Sequence, residues 1–319
     1  MENTRYTPLT AWPRGLNYVD TPAPKGSYRI GKNIRLNETF IPERRTGSAK
    51  YNTTAGCDLA DNDKPVTNAL AYYPSGQTAQ FVATASDGSN MCIFMSANGL
   101  EFTKEATHVL TDGASVYFTV FPITGSSGNI EDFLFSVDGA ANEMKEFDPS
   151  AGTWATMTSG TPDTTVAFSH ICPHGERVWM FANTYGQAYG YYSTMKSETF
   201  AWNNSTQYLD FSHNGEAIVG GISFDNDLVV FRKSNPGILR GTDPESGVKI
   251  NVLSGVPGSI SPKTWVEGTF RGRKVLYYLG LHGVYVFDKY NAIRIDQQIN
   301  IRSLMAAAYI QNACAVLHD

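Results

Sequence analysis

With 319 residues and a net charge of −5, the chain is long enough to bury an ordinary core and too acidic to grip nucleic acid through a basic face. No stretch approaches 18 consecutive apolar residues, which excludes a membrane-spanning helix, and the opening Met1–Arg5 lacks the apolar core of a signal peptide. Charged residues make up only 17%, against 12% aromatics and 29 glycines, a composition suited to half-buried strands joined by tight turns.

Residues 1–26 carry Pro8, Pro13, Gly15, Pro22 and Pro24 and read as an extended arm. Two strand-like runs follow, near residues 28–36 and 40–51, around the turn Asn37-Glu38-Thr39. Residues 52–77 read as a long polar loop carrying one short strand near 69–73. Beyond it, an apolar strand followed by a glycine-centred turn recurs about every 49 residues. It appears at Phe81–Ala85 with Gly88, Phe133–Val137 with Gly139 and Val178–Phe181 with Gly186. It returns at Leu228–Phe231 with Gly237 and at Val275–Tyr278 with Gly283. The glycines are 51, 47, 51 and 46 residues apart. A period of this size with several strands per repeat is what a β-propeller blade leaves in a sequence.

Blades are therefore expected at roughly 78–114, 115–160, 165–212, 216–256 and 262–297. Ile301, Leu304 and Met305 lie at helical spacing and predict a short helix over 298–308. Residues 307–317 look like the inner strands of one more blade, which stops at Asp319 before its outer strands. Natural sheets avoid such unpaired edges. The economical closure pairs residues 28–51 with the C-terminal strand, so that one blade is shared between the chain ends. The expected fold is an all-β propeller of about six blades over residues 27–319, with an extended N-terminal arm. The competing explanations are a truncated chain and strands supplied by a partner subunit.

Charge is unevenly placed. Residues 1–50 hold nine Lys/Arg and four Asp/Glu, a net of +5, and the remainder is net −10. The plain interpretation is a solvated arm. The sharper one is a basic arm docking on an acidic neighbour, such as another copy of the chain. Cys57, Cys92, Cys172 and Cys314 are scattered without paired spacing and read as reduced thiols of a protein assembled in a cytoplasm.

Few residues group in a way that could carry chemistry. His170, Cys172 and His174 alternate along one strand face, and all three are metal-ligand types, but Pro173 and Gly175 mark a breaking strand with no fourth ligand nearby. Asp58, Asp61 and Asp63, like Asp225 and Asp227, lack the spacing of a calcium loop and read as turn formers. Ser96-Ala97-Asn98-Gly99-Leu100-Glu101-Phe102 is similar to the aspartate-box hairpin of sialidase-like propellers, with Asn98 and Phe102 replacing the expected Asp and Trp. Glu131, Asp132 and Asp227 stand at strand starts, where a glycosidase would place carboxylates and a structural propeller places turn residues. No phosphate-cradling loop or nucleophile elbow occurs. No catalytic, cofactor-binding or metal-binding residue is assigned.

Several phrases in order resemble β-propeller tail proteins of tailed bacteriophages. They are Gly15-Leu16-Asn17, Lys32-Asn33-Ile34-Arg35-Leu36, Arg44-Arg45-Thr46-Gly47, Gly175-Glu176-Arg177-Val178-Trp179, Tyr191-Tyr192-Ser193 and Phe200-Ala201-Trp202. The series continues with Ile222–Phe231 and ends at Gly283-Val284-Tyr285-Val286-Phe287-Asp288, so it spans most of the chain. The resemblance implies a non-enzymatic virion part at the tail nozzle, hub or tube, assembled in the host cytoplasm. Its implied partners are other copies in a ring, neighbouring tail proteins and DNA in passage. The alternative is a carbohydrate-binding or carbohydrate-cleaving propeller used in host attachment, with Tyr189, Tyr191 and Tyr192 as sugar-stacking aromatics.

Overall fold

Apolar strands joined by short turns pair with their sequence neighbours, because a hairpin closes at the lowest chain entropy. The computed structural model describes residues 34–36, 42–44, 66–87, 89–99, 101–125, 128–139, 144–157, 166–184, 187–196, 200–203, 206–246, 249–296 and 313–315. Strands β1 (Ile34–Leu36) and β2 (Pro42–Arg44) pair antiparallel, Ile34 opposite Arg44. After them come five four-stranded antiparallel sheets. The first holds β3 (Val66–Tyr72), β4 (Gln80–Ser86), β5 (Met91–Ser96) and β6 (Thr103–Leu110). The second holds β7 (Tyr117–Thr124), β8 (Ile130–Val137), β9 (Lys145–Asp148) and β10 (Thr153–Thr156). The third holds β11 (Phe168–His174), β12 (Arg177–Thr184), β13 (Gln187–Tyr192) and β14 (Tyr208–Asp210). The fourth holds β15 (Ile218–Phe224), β16 (Asp227–Arg232), β17 (Pro236–Arg240) and β18 (Ile250–Val252). The fifth holds β19 (Val266–Phe270), β20 (Arg273–Gly280), β21 (Gly283–Phe287) and β22 (Ala292–Arg294). Every sheet is a meander in sequence order.

The chain is thus all-β, and one 3₁₀ turn at Pro262–Thr264 is the sole helical element among the described residues. Among them, no helix is long and apolar enough to cross a membrane. Two compact units divide the chain, residues 51–262 and residues 1–50 with 263–319. The first unit contains the first four sheets, and the second contains β1, β2 and the fifth sheet.

The recurring apolar phrase is the second strand of each sheet, β4, β8, β12, β16 and β20. Two details of the expectation change. The first sheet begins at Val66, so the strand placed in a loop near 69–73 is in fact its first strand. Thr67 and Asn68 hide it by interrupting the apolar pattern, and a bulge between Val66 and Asn68 shifts its register. The glycines are not all turn centres. Gly139 follows β8 at φ +74, but Gly237 lies inside β17, and the preceding turn closes through Arg232 N–H to the Asn235 carbonyl at 3.2 Å. Gly88 and Gly186 lie outside the described residues, as do the expected helix over 298–308, the arm and most of 307–317. In that last stretch Ala315 N–H donates to the Lys263 carbonyl at 2.9 Å.

Successive sheets of the larger unit stack face to face. Met91, Ile93 and Met95 of the first sheet meet Leu134, Phe147 and Trp154 of the second. Phe133 and Phe135 of the second meet Phe168, Val178 and Met180 of the third. Trp179, Phe181 and Tyr192 of the third meet Leu228, Val230 and Leu239 of the fourth. Because side chains alternate along a strand, β12 sends Val178 and Met180 back to the second sheet and Trp179 and Phe181 forward to the fourth. The indole N–H groups of Trp154 and Trp202 donate to Met95 Sδ and Met157 Sδ at 3.0 and 3.2 Å, which satisfies two buried donors inside these apolar layers. The face of the first sheet turned away from the second is apolar too, with Ala83, Ala85, Cys92 and Phe94 buried.

Candidate functional site

The junction between the third and fourth sheets gathers the richest set of buried polar side chains. His170, Cys172 and His174 do share one face of β11, and that face meets the fourth sheet. His170 Nδ1 accepts from the Gly221 N–H at 3.3 Å. Its ring lies over Gly220, where a Cβ would stand 2.7 Å from the imidazole, and packs 4.9 Å from the Tyr117 ring. His174 Nε2–H donates to the Gly241 carbonyl at 2.8 Å, so Nδ1 is left to accept from Ser223 Oγ at 2.9 Å. Burial pushes the Cys172 thiol up and keeps it protonated.

These three do not form a ligand set. Both ring nitrogens of His174 are engaged, with Ser223 and Gly241, and His170 Nδ1 accepts from the Gly221 N–H. Among the described residues no group of three His, Cys, Asp or Glu side chains is placed to hold a metal. What the histidines do instead is tie two sheets together in neutral form. Burial lowers the His170 pKa to about 3 and moves His174 in the same direction.

A pH dependence follows. An unfolded histidine takes up a proton below about pH 6.5, whereas these two resist it when folded. Their neutral packing is therefore fully stabilising above that pH and is lost progressively as the pH falls toward their folded values. Urea midpoints should drop from pH 7.5 to pH 5, with a slope approaching 1.4 kcal/mol per pH unit for each fully shifted group, as an order-of-magnitude figure. A midpoint that stays level over that interval would contradict the neutral assignment.

Two arginines that the sequence reading did not single out frame the same junction. Arg177 is buried. Its Nη1 donates to the Ser193 carbonyl at 2.8 Å, its Nη2 meets Glu245 Oε1 at 3.1 Å, and its guanidinium lies 5.3 Å from the Tyr192 ring centroid. Glu245 is half exposed, so the ion pair is screened by water and the carbonyl bond carries more of the anchoring. Beside it Asp227 accepts from the Gly241 N–H at 3.1 Å. At the far end of β16, Arg232 is fully buried. Its Nη1 donates to the Phe211 carbonyl at 2.6 Å, and Nη2 and Nε donate to Asn235 Oδ1 at 2.8 and 3.2 Å. Burial lowers its pKa, and the nearby Glu216 carboxylate offsets part of that.

The other carboxylates are structural in their observed contacts. Asp225 and Asn226 both have positive φ, 48° and 69°, and form the two-residue loop between β15 and β16. Asp132 accepts from the Ser75 N–H at 2.9 Å. Glu131 and Asp132 are adjacent on β8 and so point to opposite faces, which cannot make the facing pair a glycosidase needs. Asn98 behaves as its hairpin resemblance implies, with Oδ1 accepting from Ser96 Oγ and the Glu101 N–H at 3.0 Å each, and Phe102 is buried. Asp58, Asp61 and Asp63 lie outside the described residues.

The tyrosines divide. Tyr191 and Tyr192 are buried on opposite faces of β13, Tyr192 5.1 Å from Trp179. Tyr189 is half-buried, and its neighbour at 5.4 Å is Tyr208, which is 41% exposed and was not anticipated. Of the three aromatics expected to face sugars, two are core residues.

No family model matches the chain, and no curated protein matches it. Solved structures similar to it include a nidogen/laminin complex, 12% identical over 74% of this chain and 82% of that chain, with a TM-score of 0.42. Another is a candidate 6-phosphogluconolactonase from Bacteroides uniformis, 11% identical over 70% of each chain, at 0.43. A third is the extracellular domain of a hybrid two-component system from B. thetaiotaomicron, 13% identical over 73% of this chain and 33% of that chain, at 0.40. No functional residue is carried over from them.

Proposed function

We propose that the chain is a structural subunit of a bacteriophage tail, without enzymatic activity, whose sheets close into a propeller of about six blades. In this reading one blade is shared between residues 28–51 and the C-terminal strand, and copies assemble into a ring around the DNA path. The observation that carries it is the use of the reactive side chains. His170, His174, Arg177 and Arg232, the residues best suited to chemistry, are buried and engaged, the two histidines by bonds to the fourth sheet, Arg177 by the Ser193 carbonyl of its own sheet and by Glu245, and Arg232 by the Phe211 carbonyl. The ordered tail-protein phrases and a net −10 over residues 51–319, which would let DNA slide past, point the same way.

The basic arm supplies the assembly contact. Residues 1–50 are net +5, of which the arm proper, residues 1–26, contributes +1, so this N-terminal segment of one copy complements the acidic remainder of the next, and head-to-tail contacts of that kind close into rings. Removing residues 1–26 is expected to leave the sheets folded by circular dichroism and to abolish rings in sedimentation and negative-stain images. Charge reversal at Arg5 and Arg14 is expected to act in the same direction more weakly, and added salt should mimic it. Rings from the truncated chain at normal yield would show that the arm plays no part in assembly.

The exposure of Tyr208 beside Tyr189 favours a second reading, a carbohydrate-binding surface, since a half-exposed aromatic pair suits sugar stacking. A glycan array decides between them. The structural reading expects no glycan bound, and binding that is lost in Tyr208→Ala would replace it with the attachment reading.

A further inference from the structure

Two turns of the same build carry opposite charge. The fourth sheet turns from β15 to β16 through Phe224-Asp225-Asn226-Asp227, and the fifth turns from β19 to β20 through Phe270-Arg271-Gly272-Arg273. In both, the outer residues face each other across the ladder, Phe224 opposite Asp227 and Phe270 opposite Arg273. In both, the two central residues are left-handed, with φ of 48° and 69° in the fourth sheet and 52° and 75° in the fifth. That is the two-residue hairpin loop, whose central residues stand at the tip beyond the ladder. The first turn of no other sheet carries a cation. Residues 73–79 and 125–129 are uncharged, and Gly175-Glu176 is acidic.

The tips face outward with their charges. Arg271 and Arg273 are exposed, and neither forms an ion pair among the described residues. The Arg271 guanidinium lies over the Phe270 ring, 5.2 Å from its centroid, which positions it without neutralising its charge. Lys274, the next cation, is already matched by Glu267 at 2.7 Å. At the fourth sheet Asp225 is exposed. The loop after β17 lies at the same end, since Gly241 N–H donates to Asp227 at 3.1 Å, and it adds the exposed Asp243. The same contrast divides the chain. Residues 51–262 hold nine Lys/Arg and 22 Asp/Glu, a net of −13, and the other unit holds 16 and eight, a net of +8.

That contrast favours a second copy over a nucleic acid as the partner. The −13 unit repels phosphates, whereas on a neighbouring copy it is the attractive surface. We infer that the Phe270–Arg273 turn of one copy docks on the end of the fourth sheet of the next, at Asp225 and Asp243. This rests on the ring reading and gives its head-to-tail contact a named pair of surfaces, in addition to the N-terminal segment.

The test exchanges the charges in the full chain. One variant carries Arg271→Asp and Arg273→Asp, and another carries Asp225→Arg and Asp243→Lys. The tips suit the exchange, because position 271 already holds an arginine and position 225 an aspartate in the same left-handed conformation. Sedimentation at low salt is expected to show self-association of each variant alone weakened by at least about tenfold. An equal mixture of the two is expected to regain the assembly of the parent, because every contact then pairs opposite charges again. Misfolding of either variant cannot produce that rescue. A mixture that assembles no better than its components would overturn the docking and leave the ring reading standing. So would variants that assemble as the parent does. A parent that stays monomeric would overturn both. Labelled duplex DNA supplies the remaining arm. Binding by the parent that is lost in the Arg271→Asp, Arg273→Asp variant, with self-association unchanged, would make the turn a nucleic-acid contact and overturn the proposal.

Discussion

Gly258→Ala is expected to destabilise the unit of residues 51–262 by more than about 3 kcal/mol, among the largest effects a single methyl group can have. A Cβ at position 258 would stand 1.9 Å from the Arg232 carbonyl oxygen and 2.6 Å from the Lys233 carbonyl carbon. Both are backbone atoms, so no rotamer change relieves the clash. Nor is the backbone free to shift. The Arg232 carbonyl accepts from the Ser259 N–H and the Ser234 carbonyl from the Gly258 N–H, each at 3.0 Å. Moving the strand end would also strain the bonds of the buried Arg232 guanidinium to Phe211 and Asn235. The urea midpoint of the variant measures this directly, and a midpoint equal to that of the parent would show that the close approach does not exist.

Trp179 is the second sensitive position. It is the largest of the fully buried side chains and lies between the third and fourth sheets, against Tyr192 and Phe211. Trp179→Ala should cost about 3–5 kcal/mol, from lost apolar burial and the cavity left behind. Trp179→Phe should behave differently. The Trp179 Nε1–H is buried and finds no acceptor among the described residues. An orphaned buried donor costs roughly 1–3 kcal/mol, so deleting it with the smaller ring offsets much of the lost contact. The phenylalanine variant is expected within about 1 kcal/mol of the parent, on the scale of an ordinary volume change. Equal losses for the two variants would mean that the indole N–H is satisfied after all.

The second strands were legible in the sequence because four or five consecutive apolar residues leave little choice but a strand buried on both faces, as in Leu228–Phe231. Strand β3 was legible only in its second half, as a short strand near residues 69–73, because Thr67 and Asn68 near its start interrupt the pattern and left it assigned to a loop instead of to the first sheet. The shared face of His170, Cys172 and His174 was visible from strand alternation alone. Their partners were not, since Ser223 and Gly241 lie 49 and 67 residues from His174 and nothing local marks the pairing. Arg232 was hidden for a related reason. A charge closing an apolar run reads as the place where a strand reaches water, and only the fold shows it turning inward to the Phe211 carbonyl 21 residues back. The aromatic phrase Tyr189-Gly190-Tyr191-Tyr192 signalled a strand without telling which rings were covered. That depends on the neighbouring sheets, and the half-exposed Tyr208 on β14 emerged only from the pairing of Tyr191 with Tyr208.

The central claim is that this chain is a ring-forming part of a phage tail. It is met most directly by cryo-electron microscopy of tailed particles purified from cells that carry its gene, with antibody against the chain as a label. The account predicts label at one end of the tail and a ring of identical subunits with propeller-shaped density around the DNA channel. Particles that lack the chain, together with a purified protein that stays monomeric at every concentration tested, would contradict it.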